Sequence, residues 1–494
     1  MSQENLPNSV LYDRVAAQFL KTGCFDLFHV WSGSALHGLR VAKSLGIPSL
    51  LEIPTWHRQK GKVVPPKTEH EIAMENAPIP PKSGLSQFRF IILLMSVYFV
   101  ATSAYLVTNI LAMDVHAAAG KETLVSTDSH QYLDFAQHFL KGNFSMDYIR
   151  DVPHRQPLYP FALAVATKIG NGNLFFLGEV NVIAMTLVIG SVYFGVLRFF
   201  RSPSLAAISA LCVAGNRFMW RIAGERILTE PLYVLFLVWV IIAFLQYLRE
   251  RNVFWLLLGS AFTGLAYLTR PSAIFDAAAS FSVLFLAEIM MPPRAGELSP
   301  RFQTKVLRLL PKYLSAVLLL IVITMPSWIP RVVYFRDPLY TGYLTNFLWV
   351  DTYHLAHDFG ERAPSYNWHY YVATHNLLDV GYRLIYGFFN VCIVLPIGAE
   401  KLPILFLLSV AGVWTTLKKG PREFRFLLLF FFIQLLPFIW TNMPNPNTRV
   451  PYGSTFPFEP FFAACFLALF AAKLDAALGR RLGFGQGNIS GAQA

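Results

Sequence analysis

The sequence predicts a mainly α, polytopic membrane protein of roughly ten membrane-spanning helices, preceded by a small N-terminal α/β unit. Three observations predict it. First, 54% of the 494 residues are hydrophobic and only 14% are charged. Soluble domains carry about 25% charge, and a chain this poor in charge would struggle to cover a soluble surface, whereas a bilayer accepts apolar residues on lipid-facing surfaces as well as in the interior. Second, apolar runs approaching the length of a bilayer crossing recur from Phe88 onwards. Third, the basic residues between those runs gather on alternate loops, as they do on cytoplasmic loops.

Residues 1–63 form the first unit. Phe25–Trp31 reads as a buried strand, Ser32–Leu45 has apolar residues at helical spacing with Gly46 as a stop, and Ile47–Ile53 reads as a second strand. The pattern is one β-α-β step of Rossmann-like type. Residues 64–87, rich in Pro, Lys and Glu, read as a linker. The polar stretch ahead of Phe88 lacks a signal-peptide pattern, which places the N-terminus in the cytoplasm.

The membrane domain covers residues 88–475. Its candidate spans are Phe88–Asn109, Leu174–Phe200, Pro203–Trp220, Leu228–Leu248, Val253–Leu268, Ser272–Met291, Tyr313–Ile329, Leu402–Leu417, Phe424–Trp440 and Pro457–Ala472. With these spans Arg198/Arg201, Arg249/Arg251, the run Arg294–Lys312, Lys418/Lys419/Arg422/Arg425 and Lys473/Arg480/Arg481 share one side, the cytoplasmic one. Both termini fall there, including a tail, 476–494, expected to be disordered. The large loops 110–173 and 330–401 then lie outside. A short outer loop with Arg217, Arg221 and Arg226 breaks the charge rule, so its arginines call for partners. The formal net charge of +12 is accounted for by basic cytoplasmic loops and by a phosphate-bearing lipid rather than by nucleic acid. Cys24, Cys212, Cys392 and Cys465 are scattered, with neither metal-ligand nor disulfide spacing.

The chemistry concentrates in the outer loops. The first contains Thr127-Asp128-Ser129-His130-Gln131-Tyr132-Leu133-Asp134-Phe135-Ala136, then His154-Arg155-Gln156-Pro157-Leu158-Tyr159-Pro160. Asp128 suits a general base that takes a proton from a hydroxyl; Thr127 or Asp128 suits a helix N-cap as well. Glu230, close to Arg226, suits an ion pair at a helix mouth. Arg270 and Arg331, each at a helix end, suit phosphate binding or snorkelling to the interface. In the second loop Asp351-x-x-His354-x-x-His357, with Asp358, suits a divalent cation or hydrogen bonding within a loop rich in Trp349, Tyr353, Tyr366, Trp368, Tyr370 and Tyr371.

Five motifs in order resemble the GT-C membrane glycosyltransferases. They are Asp128–Ala136, Arg155–Pro160, Leu228-Thr229-Glu230-Pro231-Leu232-Tyr233, Gly264–Pro271 and Pro326–Arg331. The nearest likeness is to the bacterial protein mannosyltransferase and aminoarabinose transferase group. That resemblance implies an inverting transfer from a polyprenyl-phosphate sugar to a hydroxyl on a glycan, lipid or protein, outside the inner (plasma) membrane. It implies Asp128 as the catalytic base. It implies Arg155 as the main phosphate ligand and Tyr132, Tyr159, Glu230, Arg270, Arg331 and Arg449 as further substrate-binding residues. It implies no metal site and no cofactor, since the donor carries its own activation; a divalent cation remains an alternative. Phe25–Leu51 with Ile53-Pro54-Thr55-Trp56-His57 resembles part of the N-terminal domain of the soluble GT-B glycosyltransferases, in which His29 and Ser32 are here expected to be structural.

A lipid-linked-sugar flippase or transporter would also suit the helix number and the basic residues. Transporters often repeat internally and break their helices at the midplane, whereas here no repeat is visible and the polar groups sit in loops. The orientation is tested with alkaline phosphatase fusions: one joined at residue 295 should be inactive and one at residue 345 active. The reverse pattern would overturn the orientation.

Overall fold

The structure, a computed structural model, describes residues 28–31, 49–52, 84–114, 124–142, 146–290, 302–352, 355, 367–394, 396–397, 404–442, 449–471 and 474. It divides into two units, Met1–Ala73 and Met74–Ala494. In the first, β1 (Phe28–Trp31) and β2 (Ser49–Glu52) pair in parallel, with Phe28 opposite Ser49. A parallel pair needs a crossover between its strands, which is what the β-α-β reading supplies. The expected helix Ser32–Leu45, the expected linker from residue 64 as far as residue 83, and the tail 476–494 lie outside the described residues.

The second unit is mainly α. Its helices are α1 (Gly84–Leu111), α2 (Thr127–Leu140), α3 (Met146–Asp151), α4 (Leu158–Gly170), α5 (Leu174–Phe200), α6 (Pro203–Ala214), α7 (Arg217–Gly224), α8 (Glu230–Glu250), α9 (Val253–Thr269), α10 (Ala273–Met290), α11 (Phe302–Phe335), α12 (Trp368–Thr374), α13 (Leu377–Phe389), α14 (Ile404–Lys419), α15 (Arg422–Thr441), α16 (Arg449–Thr455) and α17 (Glu459–Leu467). Among the described residues, eight helical segments are long and apolar enough to cross a membrane, and four shorter helices, α4, α6, α9 and α14, are apolar too. The fold is that of a polytopic membrane protein. Its interior is a continuous core in which α8 is buried along most of its length, with Val234, Leu237, Val238 and Ala243 inaccessible. Long apolar side chains such as Leu93, Val100, Leu318 and Ile385 point outward on α1, α11 and α13, as a lipid-facing surface requires.

Two departures from the sequence reading have physical causes. The expected span Pro203–Trp220 is two helices. Gly215 closes α6, and the Asn216 side chain accepts the Met219 amide at 3.1 Å, capping α7 as a separate amphipathic turn. The segment Leu377–Val394, expected to be loop, is long and apolar enough to cross a membrane. Asp379 and Arg383 dilute its apolar pattern. Asp379 belongs to a capping box with Asn376, and the guanidinium of Arg383 is inaccessible to solvent.

Two faces meet through glycine. A Cβ on Gly412 of α14 would overlap the Phe462 carbonyl of α17, and one on Gly387 of α13 would overlap the Ile439 carbonyl of α15. Close backbone approach of this kind is a common device where helices pack in lipid. Gly412→Val should therefore cost about 3 kcal/mol by overpacking and lower the thermal midpoint in detergent. Gly381→Ala, which meets open space, should leave the midpoint within a degree or two, the change expected of a surface substitution worth about 0.5 kcal/mol or less.

Candidate functional site

The loop residues singled out by sequence gather at one end of the helices. The opposite end is polar in a different way: Arg198 pairs with Glu250 at 2.7 Å, and Lys305 donates to the Ile289 carbonyl at 2.7 Å.

Helix α2 carries the first group. Its N-cap is Ser126, whose hydroxyl accepts from Ser129 N while Ser129 Oγ accepts from Ser126 N, a closed capping box. Asp128 is therefore not the cap. Its Oδ1 takes Arg155 Nη2 at 2.5 Å. The same guanidinium donates from Nε to Gln131 Oε1 and from Nη1 to the Tyr132 hydroxyl, each at 2.7 Å. Positions 128, 131 and 132 are i, i+3 and i+4 on one helical face, so one planar fork grips that face. The guanidinium carbon also lies 4.6 Å from the Tyr132 ring centroid. Arg155 is 12% exposed and Asp128 36%, so the acid is the more accessible partner.

Tyr132 meets Tyr159 edge to face, with centroids 5.3 Å apart. The Tyr159 hydroxyl donates to Asn181 Oδ1 at 2.9 Å, and Asn181 Nδ2 donates to the Arg226 carbonyl at 2.8 Å. Ser129 Oγ donates to the Ile227 carbonyl at 3.0 Å. These bonds tie α2 to the turn that leads into α8, where Glu230 pairs with Arg270 Nη1 at 2.9 Å. Burial alone would lower the Arg270 pKa, but the Glu230 carboxylate, with Tyr132 and Tyr233 nearby, outweighs it and raises the pKa. Arg270 lies 5.8 Å over the Tyr233 ring, whose hydroxyl bonds to Asp276 and sits 3.0 Å from Ser454 Oγ.

Of the residues predicted from sequence, Asp128, Tyr132, Arg155, Tyr159, Glu230 and Arg270 are thus brought into one connected cluster. Arg331 has a different post. It is inaccessible to solvent, and its five N–H groups reach the Tyr340, Ser327, Pro153 and Arg155 carbonyls and the Ser327 hydroxyl. It holds the backbone of the Arg155 segment and presents no donor to a ligand, contrary to its expected place in substrate binding. The backbone of Arg449 opens α16, whose Gly453 lies beside Glu230; the Arg449 side chain lies outside the described residues. The arginines of the short loop are answered in part, since Arg221 pairs with Glu225 at 3.0 Å and Glu225 accepts the Tyr105 hydroxyl.

A second cluster ties down the later loop. Arg383 Nη1 reaches Asp351 Oδ1 at 2.9 Å, and His375 Nε2 lies 2.5 Å from Asp351 Oδ2. Arg383 also donates to the Trp440 and Phe347 carbonyls. Asp351 is therefore engaged by an arginine and a histidine, while His354, His357 and Asp358 lie outside the described residues. Among the described residues no group of three His, Cys, Asp or Glu side chains is placed to hold a metal.

Sequence reasoning missed Gln131, Asn181 and Arg383. Gln131 was findable from its i+3 relation to Asp128, and Arg383 as a lone arginine in an apolar run. Asn181 carried no signal.

The chain matches no protein-family profile, and no curated protein matches it. Two solved structures are similar to it. One is ArnT from Cupriavidus metallidurans in the apo state, 16% identical with a TM-score of 0.45, over 81% of this chain and 64% of that one. The other is the Archaeoglobus fulgidus oligosaccharyltransferase tethered to an acceptor peptide containing the NVT sequon, 13% identical with a TM-score of 0.44, over 80% and 52%. The chain spans less than two thirds of the length of either, and neither likeness assigns a role to any of its residues.

Arg331→Met should remove the hydrogen bonds that the Pro153 and Tyr340 carbonyls accept from a charged donor, at about 1.5–3 kcal/mol each. The thermal midpoint in detergent should fall by several degrees. An unchanged midpoint would show that Arg331 is not a structural clamp.

Proposed function

We propose that the chain transfers a sugar from a polyprenyl-phosphate-linked donor to a hydroxyl on a glycan, lipid or protein acceptor, with inversion, at the extracytoplasmic face of the inner membrane. The observation that carries this reading is the junction of an accessible carboxylate with two arginines at the mouth of apolar helices. Asp128, Arg155 and Arg270 stand around Tyr132 in one hydrogen-bonded and electrostatic cluster. Such a junction suits a reaction between a lipid-borne anion and a hydroxyl that must lose a proton.

In this reading Asp128 accepts the acceptor proton as the acceptor oxygen attacks the sugar C1 from the face opposite the phosphate. The C1–O bond breaks, its electron pair goes to the phosphate, and the configuration at C1 inverts. Arg155 stabilises the departing phosphate by paired hydrogen bonds, and Arg270, held by Glu230, is a second guanidinium in the same cluster. Tyr132 holds Arg155 through its hydroxyl, and Tyr159, expected among the substrate-binding residues, instead supports Tyr132 from within the core, inaccessible to solvent and with its hydroxyl donated to Asn181. The apolar helices below accommodate the polyprenyl chain, and both termini lie in the cytoplasm.

Asp128→Asn should reduce transfer by roughly 10²–10⁴-fold, measured as incorporation of labelled sugar by membranes or as loss of one sugar from the glycans of a deletion strain carrying the variant. Expression and membrane insertion should hold, because Ser126 supplies the helix cap and the Asn carbonyl can still accept from Arg155. Near-normal transfer by the variant would sink the assignment of the base. Translocation of a lipid-linked sugar without transfer would instead establish a flippase.

A further inference from the structure

We propose that the Asp128–Arg155 contact is a mask that the donor phosphate opens, so that donor binding must precede activation of the acceptor. The inference rests on the reading of the cluster as a polyprenyl-phosphate sugar site.

The base and the phosphate ligand of that reading are bound to each other, Asp128 Oδ1 to Arg155 Nη2 at 2.5 Å. A carboxylate hydrogen-bonded to a guanidinium is a weaker base than a free one, because both the charge and the bond favour its ionised form. The bonded oxygen is also directed at Arg155 rather than at an incoming hydroxyl. With the pair closed, the acid is poorly set to take a proton.

The surroundings determine which partner moves. Arg155 is the deeper of the two and is anchored beyond its side chain, since Arg331 Nη2 donates to the Pro153 carbonyl at 2.6 Å and to the Arg155 carbonyl at 3.3 Å. Its Nε and Nη1 rest on Gln131 and Tyr132. Asp128 is one-third exposed, and the end of its helix is capped by Ser126 and Ser129, so its side chain can rotate without uncapping α2. A phosphate offers the guanidinium two oxygens in a matching plane. It replaces the carboxylate at Nη2, and the displaced Asp128 turns towards the open side, where an acceptor hydroxyl arrives. Exchange of one anion for another keeps Arg155 neutralised throughout, which matters for a charge so little exposed.

The test is the affinity of the purified full-length protein in detergent for farnesyl phosphate, with farnesol and inorganic phosphate as separate arms. Asp128→Asn should bind farnesyl phosphate about fivefold more tightly than the wild type, as expected if a competing ion pair of ordinary strength has been removed. Asp128→Ser, which also removes the charge, should do the same if the amide perturbs folding. Arg155→Ala should bind at least tenfold more weakly. A static structural pair would leave affinity in the Asp128 variants equal to the wild type or weaker, and that result, with thermal midpoints intact, would overturn the mask. Wild-type binding of farnesol as tight as that of farnesyl phosphate would instead defeat the donor reading itself. Competition by inorganic phosphate at similar concentrations would assign the site to free phosphate and overturn both.

Discussion

Buried guanidinium groups organise the end of this protein that holds the candidate site. A charge withdrawn from water costs several kcal/mol unless it is met by acceptors, and among the described residues four guanidinium groups are withdrawn at this end. Arg331 and Arg383 are inaccessible, while Arg155 and Arg270 are 12% and 14% exposed. Each obliges distant segments to bring it oxygen atoms. Arg331 draws the Pro153–Arg155 turn onto α11, Arg383 draws the Phe347–Asp351 segment onto α13, and Arg270 holds the start of α8. The loops take their shape from these obligations.

Arg155 depends on the same arrangement. Its backbone is pinned by Arg331 and its side chain lies along three residues of one α2 face. The proposed base is thus located by a chain of contacts that starts on a membrane helix and passes through two arginines. The polar atoms deeper in the bundle continue this logic: Tyr233 bonds to Asp276 and faces Ser454, and Gln434 donates to the Ser454 carbonyl at 3.0 Å, which joins α8, α10, α15 and α16 directly below the site.

Much of the site was legible because its residues lie in short motifs. Asp128 and Tyr132 are one helical turn apart, Arg155 and Tyr159 flank a proline turn, and Glu230 opens a helix. What was not legible is which arginine serves which purpose. Arg270 and Arg331 look alike in sequence, each close to a helix end beside proline, yet one reaches a carboxylate in the cluster and the other is used up on backbone carbonyls. Asn181 was invisible for a related reason: its partners, Tyr159 and Arg226, come from segments on either side of it in the chain.

The sequence by itself determined that the chain is a mainly α membrane protein, because apolar length and charge placement are local properties that the bilayer reads directly. It also marked out the acid and arginine motifs. Only the tertiary structure decided that Ser126, not Asp128, caps α2, that Leu377–Val394 is a long apolar helix despite Arg383, and that Asp128 and Arg155 touch. Those outcomes depend on which groups meet across segments far apart in the chain, and a one-dimensional pattern carries no record of such meetings.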